Sequence, residues 1–400
     1  MICPIATILA SCAGAIAVCS AGYYVLCLYS AARFLSERKA ASQPVLSEDG
    51  DGARPTPPAP PVSILKPLKG TDPAIYESLR SHCVQDYAVH EIIFGVSDSN
   101  DPAAEVVKRL QSEFPQRAIH LVVCARALGA NAKVSNLAQM LTKARHQHLV
   151  VSDSDIRVDR DYLRRVVAPL ADPHVGVVTC LYRGVPGLTL GSRLESLGIS
   201  TDFAAGVLAA RQLEAGIRFG LGSTLAFRRR DLETIGGFEA FVDYLADDYQ
   251  IGKSLADLGL KGELSGVVVE TFLPPYNWRE FMAHQLRWAR AVRDSRRWGY
   301  LGLLVTFGLG WAVLALLLSR GALWAWGLLA VVAGLRATVA ITVGWSVLRD
   351  RRALTGLPLL PIRDFVALLV WIASFAGKTV VWRGDSFQLK DGKLIRIGPL

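Results

Sequence analysis

Residues 148–158 read His-Leu-Val-Val-Ser-Asp-Ser-Asp-Ile-Arg-Val, a short β-rich run that ends on two carboxylates, Asp153 and Asp155. A run of this kind reads as one strand of a mainly parallel sheet. Ligands of open α/β sheets bind outside the carboxyl ends of the strands, which is where these two acids fall. Outward from this point, similar runs at 62–65, 91–96, 119–123 and 175–179 alternate with amphipathic stretches near 73–84, 102–114, 132–145 and 159–171. The alternation predicts βαβ units and a largely parallel sheet, an α/β domain over residues 62–276.

Two more acidic clusters belong to the same domain. Ser97-Asp98-Ser99-Asn100-Asp101 follows the second expected strand, and Asp243-Tyr244-Leu245-Ala246-Asp247-Asp248-Tyr249 precedes an amphipathic stretch. Carboxylates crowd together only at a cost unless a cation or a proton donor joins them. An Asp-x-Asp at a strand end offers two hard oxygen ligands to Mg²⁺ or Mn²⁺, whose shell substrate phosphates and water complete. Such an ion would screen a diphosphate leaving group. A third carboxylate would take the proton of an attacking hydroxyl. Each cluster alone reads equally as a solvated turn or helix cap; it is their combination that points to chemistry.

The flanks set the context. The chain has 400 residues, 51% hydrophobic and 20% charged, with a mean hydropathy of +0.30. That composition excludes a disordered tail protein. Seven cysteines without a C-x-x-C pair make neither a disulfide framework nor a zinc site, so the thiols read as reduced. Residues 279–400 hold 17 basic and 6 acidic side chains, whereas the first 278 carry a net −2. A basic excess beside long apolar runs points to an anionic membrane surface and not to nucleic acid.

Residues 1–32 read as a transmembrane anchor, uncharged from 5 to 31, and Arg33, Arg38 and Lys39 place the chain beyond it in the cytosol. Residues 33–61, with six prolines between 44 and 61, read as a stiff linker. Residues 277–298 carry Trp278, Phe281, Met282, Leu286, Ala289 and Val292 at three- and four-residue spacing among arginines, the pattern of an interfacial helix. Residues 299–382 hold two or three membrane segments: 300–318, 322–348 with Arg336 near its middle, and 365–382, which spans or re-enters. Residues 383–400 read as a basic cytosolic tail. Gly220-Leu221-Gly222-Ser223-Thr224 lacks a following Lys-Ser and reads as a close backbone approach to substrate; Arg228, Arg229 and Arg230 read as solvated.

Six ordered motifs resemble those of the ceramide glucosyltransferases, glycosyltransferase family 21. They are Val62-Ser63-Ile64-Leu65-Lys66-Pro67-Leu68-Lys69-Gly70, Asp98 with Asp101-Pro102, Asn131 to Leu137, Asp153 to Val158, Asp247-Asp248-Tyr249 and Arg287-Trp288. The bacterial hopanoid-biosynthesis glycosyltransferases resemble the chain equally well and share a His-x-x-Arg-Trp segment, here His284 to Trp288. The resemblance implies a GT-A fold, a UDP-sugar donor, a divalent cation and an inverting displacement at a lipid hydroxyl. It implies that Asp98 contacts the uridine, that Asp153 and Asp155 handle metal and diphosphate, and that Lys133 lines the donor site, with Lys66 and Lys69 nearby. Asp248 matches the general base and Asp247 its acidic neighbour. His284, Arg287 and Trp288 match a Q/R-x-x-R-W motif lying against the diphosphate and the acceptor. Three positions depart from the animal enzymes: His284 replaces Gln or Arg, Phe203 stands where they carry His, and they lack the second Asp of Asp153-x-Asp155.

The implied reaction moves glucose to ceramide, or N-acetylglucosamine or another hexose to a hopanoid polyol, at a bacterial inner membrane with the catalytic domain in the cytosol. A processive polysaccharide synthase would carry more spanning helices. A non-catalytic scaffold would have lost one of Asp153, Asp248 or Arg287, and all three are present.

Overall fold

The computed structural model describes residues 4–41, 59–382 and 385–397. Among these, eight strands form one mixed sheet: β1 (Val62–Pro67), β2 (His90–Val96), β3 (Ala118–Val123), β4 (His148–Val151), β5 (Ile156–Arg157), β6 (Val175–Val185), β7 (Leu225–Arg228) and β8 (Lys261–Phe272). Their order is β3-β2-β1-β4-β7-β6-β8-β5. The first four run parallel, β7 lies antiparallel between β4 and β6, β8 is parallel to β6, and β5 is antiparallel to β8. The expected α/β class is observed, with β5, β7 and β8 added to the five expected strands.

Every residue of β1 and β2 is buried, which explains their uninterrupted apolar character. Adjacent residues face opposite sides of the sheet. Ile64, Ile92 and Val150 enter one core; Leu65, Ile93 and Val151 enter the other. The first core continues into Tyr24, Cys27, Ala31 and Phe34 of the N-terminal helix, so the sheet and the membrane part share one apolar interior. Six cysteines among the described residues are free thiols.

The N-terminal helix runs Pro4–Ala41, past the expected anchor boundary at residue 32. No Gly or Pro interrupts residues 33–41, and Glu37 pairs with Arg33 at 3.0 Å and with Arg211 at 2.6 Å, fastening the helix end to the domain. Most of the expected linker, residues 42–58, lies outside the described residues. Among the described residues, three helices are long and apolar enough to cross a membrane: Ile5–Ala40, Leu323–Val347 and Leu357–Ser374. Arg297–Thr306 and Gly308–Leu318 make a fourth candidate bent by 55°.

The segment expected at 365–382 therefore begins earlier and stops at Ser374. Beyond it, β9 (Thr379–Trp382), β10 (Asp385–Lys390) and β11 (Lys393–Arg396) form a separate antiparallel sheet. The expected basic tail is thus a folded element. Val380, Phe387, Leu389 and Leu394 alternate inward while Lys390, Lys393 and Arg396 stay exposed, and a charge count hides that period of two.

Two arginines, one on the sheet and one on the N-terminal helix, hold the end of the apolar helix Leu323–Val347. Arg183 on β6 donates to the carbonyls of Leu348 and Arg349 at 3.0 and 2.8 Å, and Arg38 donates to Val347 and Ser346, supplying partners to a helix end. Arg336 makes a bidentate pair with Asp364 on the next apolar helix, both bonds 2.8 Å, and donates to Thr201 O at 3.0 Å.

Arg228 is buried, contrary to the expectation of a solvated cluster. It pairs with Asp231 at 2.6 Å and donates to the carbonyls of Leu170, Asp172, Pro173 and Val175, so it staples the turn before β6. Its neighbour Arg230 is exposed. Breaking a buried pair of this kind costs about 3–5 kcal/mol. Arg228→Lys, which offers one point charge in place of the fork, is expected to lower the thermal midpoint of the purified protein by several degrees; Arg230→Lys is expected to leave it unchanged. Equal midpoints in scanning fluorimetry would refute the staple.

Candidate active site

Three segments converge at the carboxyl ends of β1 and β4. Asp153 follows β4 directly. Lys133 sits in the first turn of the helix Ala132–Leu141, capped by Asn131, whose Oδ1 accepts from Val134 N at 3.2 Å. The same Asn131 donates through Nδ2 to Tyr244 O at 2.7 Å and to Asp247 Oδ1 at 3.4 Å, which ties that cap to the third acidic cluster. Lys133 Nζ then lies 2.8 Å from Asp153 Oδ1 and 3.3 Å from Asp247 Oδ2. Asp247 and Asp248 open the helix Asp247–Asp257, where the helix dipole favours negative charge, and Asp248 Oδ1 accepts from Tyr249 N at 2.8 Å.

The electrostatics follow from crowding. Burial pushes the Asp248 carboxyl up to about 6, Asp247 adds to the rise, and Lys133 opposes it. Burial likewise raises Asp247 against the pull of Lys133. Asp247 Oδ2 has no hydrogen bond of good geometry and is balanced only by the 3.3 Å ion pair. Burial pulls the Lys133 ammonium down, but Asp153, Asp247 and Asp248 together override it and hold it well above its ordinary value.

Lys66 at the end of β1 is fully buried. It donates to Asp153 O at 2.7 Å and Ser152 Oγ at 3.2 Å, fixing the backbone that presents Asp153. Burial pushes this ammonium down to about 7, against the attraction of Asp155 and Asp153.

Asp155 is turned aside. Its Oδ2 accepts from Thr271 Oγ1 of β8 at 2.5 Å, and burial, then Asp153, pushes it up to about 6. Asp98 is exposed on the loop after β2, where Oδ1 accepts from Asn100 N at 2.9 Å; among the described residues nothing links it to the Lys133 cluster. Its neighbour Asp101 takes Gly70 N at 2.9 Å and so holds the loop after β1.

The glycine-rich segment meets this cluster from the opposite side. A Cβ on Gly220 would stand 2.7 Å from Asp248 O, and one on Gly252 would stand 2.2 Å from Gly220 N, so two glycines let the loop backbone lie on the helix. A Cβ on Gly222 would stand 2.9 Å from Asp153 Oδ2 and 3.2 Å from Asp248 Oδ2. Gly222 thus keeps open the space that both carboxylates face.

The helix Trp278–Ser295, expected from its sequence to be interfacial, begins at an Asn277–Glu280 capping box. His284 Nδ1 lies 3.1 Å from the carboxylate of the buried Glu195, and its ring stacks on Tyr276 with centroids 5.3 Å apart. From His284 a line of rings runs through Trp288 (5.4 Å) and Phe203 (6.3 Å) to Tyr182 (5.2 Å) on β6. Burial raises the Tyr182 phenol well above its ordinary value, and Asp248, Glu195, Asp155 and Asp153 add to the rise. Arg287 is half-buried beside Trp288.

The profile of glycosyl transferase family 21 matches residues 13–395. The chain belongs to that family. It is therefore a glycosyltransferase, with the GT-A type of fold. It is 25% identical over 364 residues to ceramide glucosyltransferase 1 of Caenorhabditis elegans, a match covering 86% of this chain and 74% of that one. To ceramide glucosyltransferase 3 of the same organism it is 28% identical over 207 residues, 52% of this chain and 45% of the relative. To the beta-monoglucosyldiacylglycerol synthase of Synechocystis it is 25% identical over 211 residues, covering 52% and 42% of the two chains. Among solved structures, mannosyltransferase PcManGT from Pyrobaculum calidifontis in complex with GDP-Man and Mn²⁺ is similar at 20% identity and a TM-score of 0.49, over 90% of this chain and 99% of that one.

Among the described residues of this family 21 enzyme, no three His, Cys, Asp or Glu side chains are grouped to hold a metal by themselves. A cation that brings most of its shell with it would be held by the hard oxygens of Asp153, beside the clearance Gly222 leaves; Asp155, bonded here to Thr271, would join it only by turning from that partner. Sequence reading missed Gly222 in this role, together with Glu195, Tyr182 and Asn131 as the link to Asp247. Gly222→Ala is expected to preserve folding and lower kcat/KM for the donor by about tenfold, a misplacement effect. Wild-type kinetics in Gly222→Ala would show that the space is not used.

Proposed function

We propose that this enzyme moves a hexose from a UDP-sugar, glucose above all, to the hydroxyl of a membrane lipid, with ceramide as the first acceptor to consider. The supporting observation is that Asp248 and Asp153 both face the Gly222 clearance, and that an aromatic line leads from β6 to the helix carrying Trp288. The donor diphosphate lies toward Asp153 and Asp155, and the acceptor approaches along Trp288, Phe203 and Tyr182. Trp288 is 36% exposed, which gives an apolar chain a surface to follow.

In this reading Asp248 Oδ2 accepts the proton of the lipid hydroxyl as its oxygen bonds to the sugar C1 and the C1–O bond to the diphosphate breaks, inverting that carbon. A pKa near 6 keeps Asp248 ionised at neutral pH and makes it a stronger base than an ordinary aspartate. Lys133 holds Asp153 and Asp247 in place and offsets their charge. Arg287 pairs with the departing diphosphate, a geometry suited to guanidinium. His284, fixed by Glu195, orients Trp288. A divalent cation held by Asp153, and by Asp155 once turned from Thr271, would supply charge relief on the leaving group. Embedding by the N-terminal helix and the C-terminal hairpin, with the sheet on the cytosolic side of a bacterial inner membrane, completes the proposal.

The test is transfer of label by the purified enzyme in lipid. UDP-glucose, UDP-galactose and UDP-N-acetylglucosamine are each offered with ceramide, diacylglycerol and a hopanoid polyol, and products are weighed by mass spectrometry. A hexosylceramide is expected, lost on chelation of divalent ions and regained with Mg²⁺ or Mn²⁺. Transfer to a different acceptor would correct the lipid, turnover under complete chelation would remove the cation, and no lipid product from any pair would overturn the reading.

A further inference from the structure

The C-terminal sheet lies next to the loop that ends in Asp247 and Asp248, although about 140 residues of chain separate them. Asp391 and Gly392 form its β10–β11 turn, both with positive φ (51° and 79°), between the paired residues Lys390 and Lys393. That turn grips the loop on both sides of Tyr244. Leu394 N donates to Asp243 O at 2.7 Å and Leu245 N donates to Gly392 O at 3.1 Å. The side chain of Leu245 joins the core of the small sheet.

The same turn is held from the other side by the interfacial helix. Gly392 N donates to Asp294 Oδ2 at 2.5 Å, and Arg290 donates to Thr379 O of β9. One hairpin therefore ties the segment carrying Asp248 to the helix carrying His284, Arg287 and Trp288. Among the described residues the sheet contributes no side chain to the ion pairs of Lys133, so its effect on the reaction runs through the loop it holds. An irregular segment held at one point only keeps much of its backbone freedom. The two bonds around Tyr244, with Asn131 on its carbonyl, remove that freedom immediately before the two aspartates.

We propose that the C-terminal sheet is a positioning element of the transferase: its Asp391-Gly392 turn sets the Asp243–Leu245 segment against the interfacial helix, so that Asp248 keeps its place opposite Asp153. Asp294 is its positioning residue. This rests on the assignment of Asp248 made above.

The experiment compares wild type, Asp294→Ala and Asp294→Asn in lipid, by steady-state kinetics and by amide hydrogen exchange over residues 243–250. Asp294→Ala is expected to speed exchange in that segment and to lower kcat about tenfold, with donor KM little changed. Asp294→Asn retains an oxygen acceptor for Gly392 N and is expected to recover both. A Gly392→Val variant, strained at φ 79°, is expected to reproduce the alanine phenotype. Unchanged exchange in Asp294→Ala would overturn the docking. Faster exchange with unchanged kcat would overturn the positioning role. Equal loss in Asp294→Ala and Asp294→Asn, or a parallel change in KM and kcat, would mean general destabilisation and overturn it as well. If the wild type transfers no sugar, the functional reading fails on its own, while exchange at residues 243–250 still decides whether the sheet docks.

Discussion

Lys133 stands between Asp153 and Asp247, with Asp248 one residue further on, and the site depends on that shared ammonium. Buried carboxylates so close together cannot all stay ionised without a compensating cation. The chain supplies one permanently and leaves the rest of the deficit to whatever binds. The consequences spread outward. Asn131 must cap the helix that carries Lys133 and also hold Tyr244 O; Lys66 must fix the Asp153 carbonyl; Gly220 and Gly252 must let the loop and helix backbones touch. A site that is acidic toward its own residues is suited to a substrate that arrives with a metal ion and leaves as a diphosphate.

The second constraint, on the function proposed, is that chemistry in the domain must meet a lipid in the bilayer. Two kinds of contact do this. The rings from Tyr182 to His284 run without a break from the sheet to the interfacial helix, and Phe203 takes part as an apolar link at the position where the family resemblance implies a histidine in the animal enzymes. Arg183 on the sheet and Arg38 on the N-terminal helix both donate to the carbonyl end of the apolar helix Leu323–Val347, so that helix end is tied to the sheet and to the N-terminal helix at once. The buried Arg336–Asp364 pair plays a similar part inside the apolar bundle, where one charge is tolerated because its partner comes with it.

Much of this is legible in the sequence where local chemistry decides structure. The parallel half of the sheet follows from β-rich runs alternating with amphipathic stretches, and β4 has the limits its residues predict. The two-residue β5 carries no period at all, and β7 and β8 lie beyond the last β-rich run of the alternation, so all three escape such a reading. The small C-terminal sheet escapes it too, because its lysines and arginines dominate the composition while its four inward residues do not. Asp153, Asp247, Asp248 and Lys133 stand out in the sequence and are found together. Asp155 stands out for its spacing from Asp153, yet its carboxylate turns to Thr271 on a strand whose position no local pattern could give. Asp98 stands apart from the cluster, and Asp101, which accepts from Gly70 N of the loop after β1 and from Ala103 N, has the more evident structural work. Arg228 reads as solvated because burial of an arginine depends on carbonyls about fifty residues away.

The account turns on Asp248 as the group that receives the acceptor proton. Its most direct test is single-turnover transfer by Asp248→Asn beside wild type, with binding of the UDP-sugar measured in parallel. Asparagine keeps the shape and the bond from Tyr249 N but cannot take a proton. Transfer is expected to fall by about 10²-fold or more while donor binding is retained. Transfer at the wild-type rate would contradict the account.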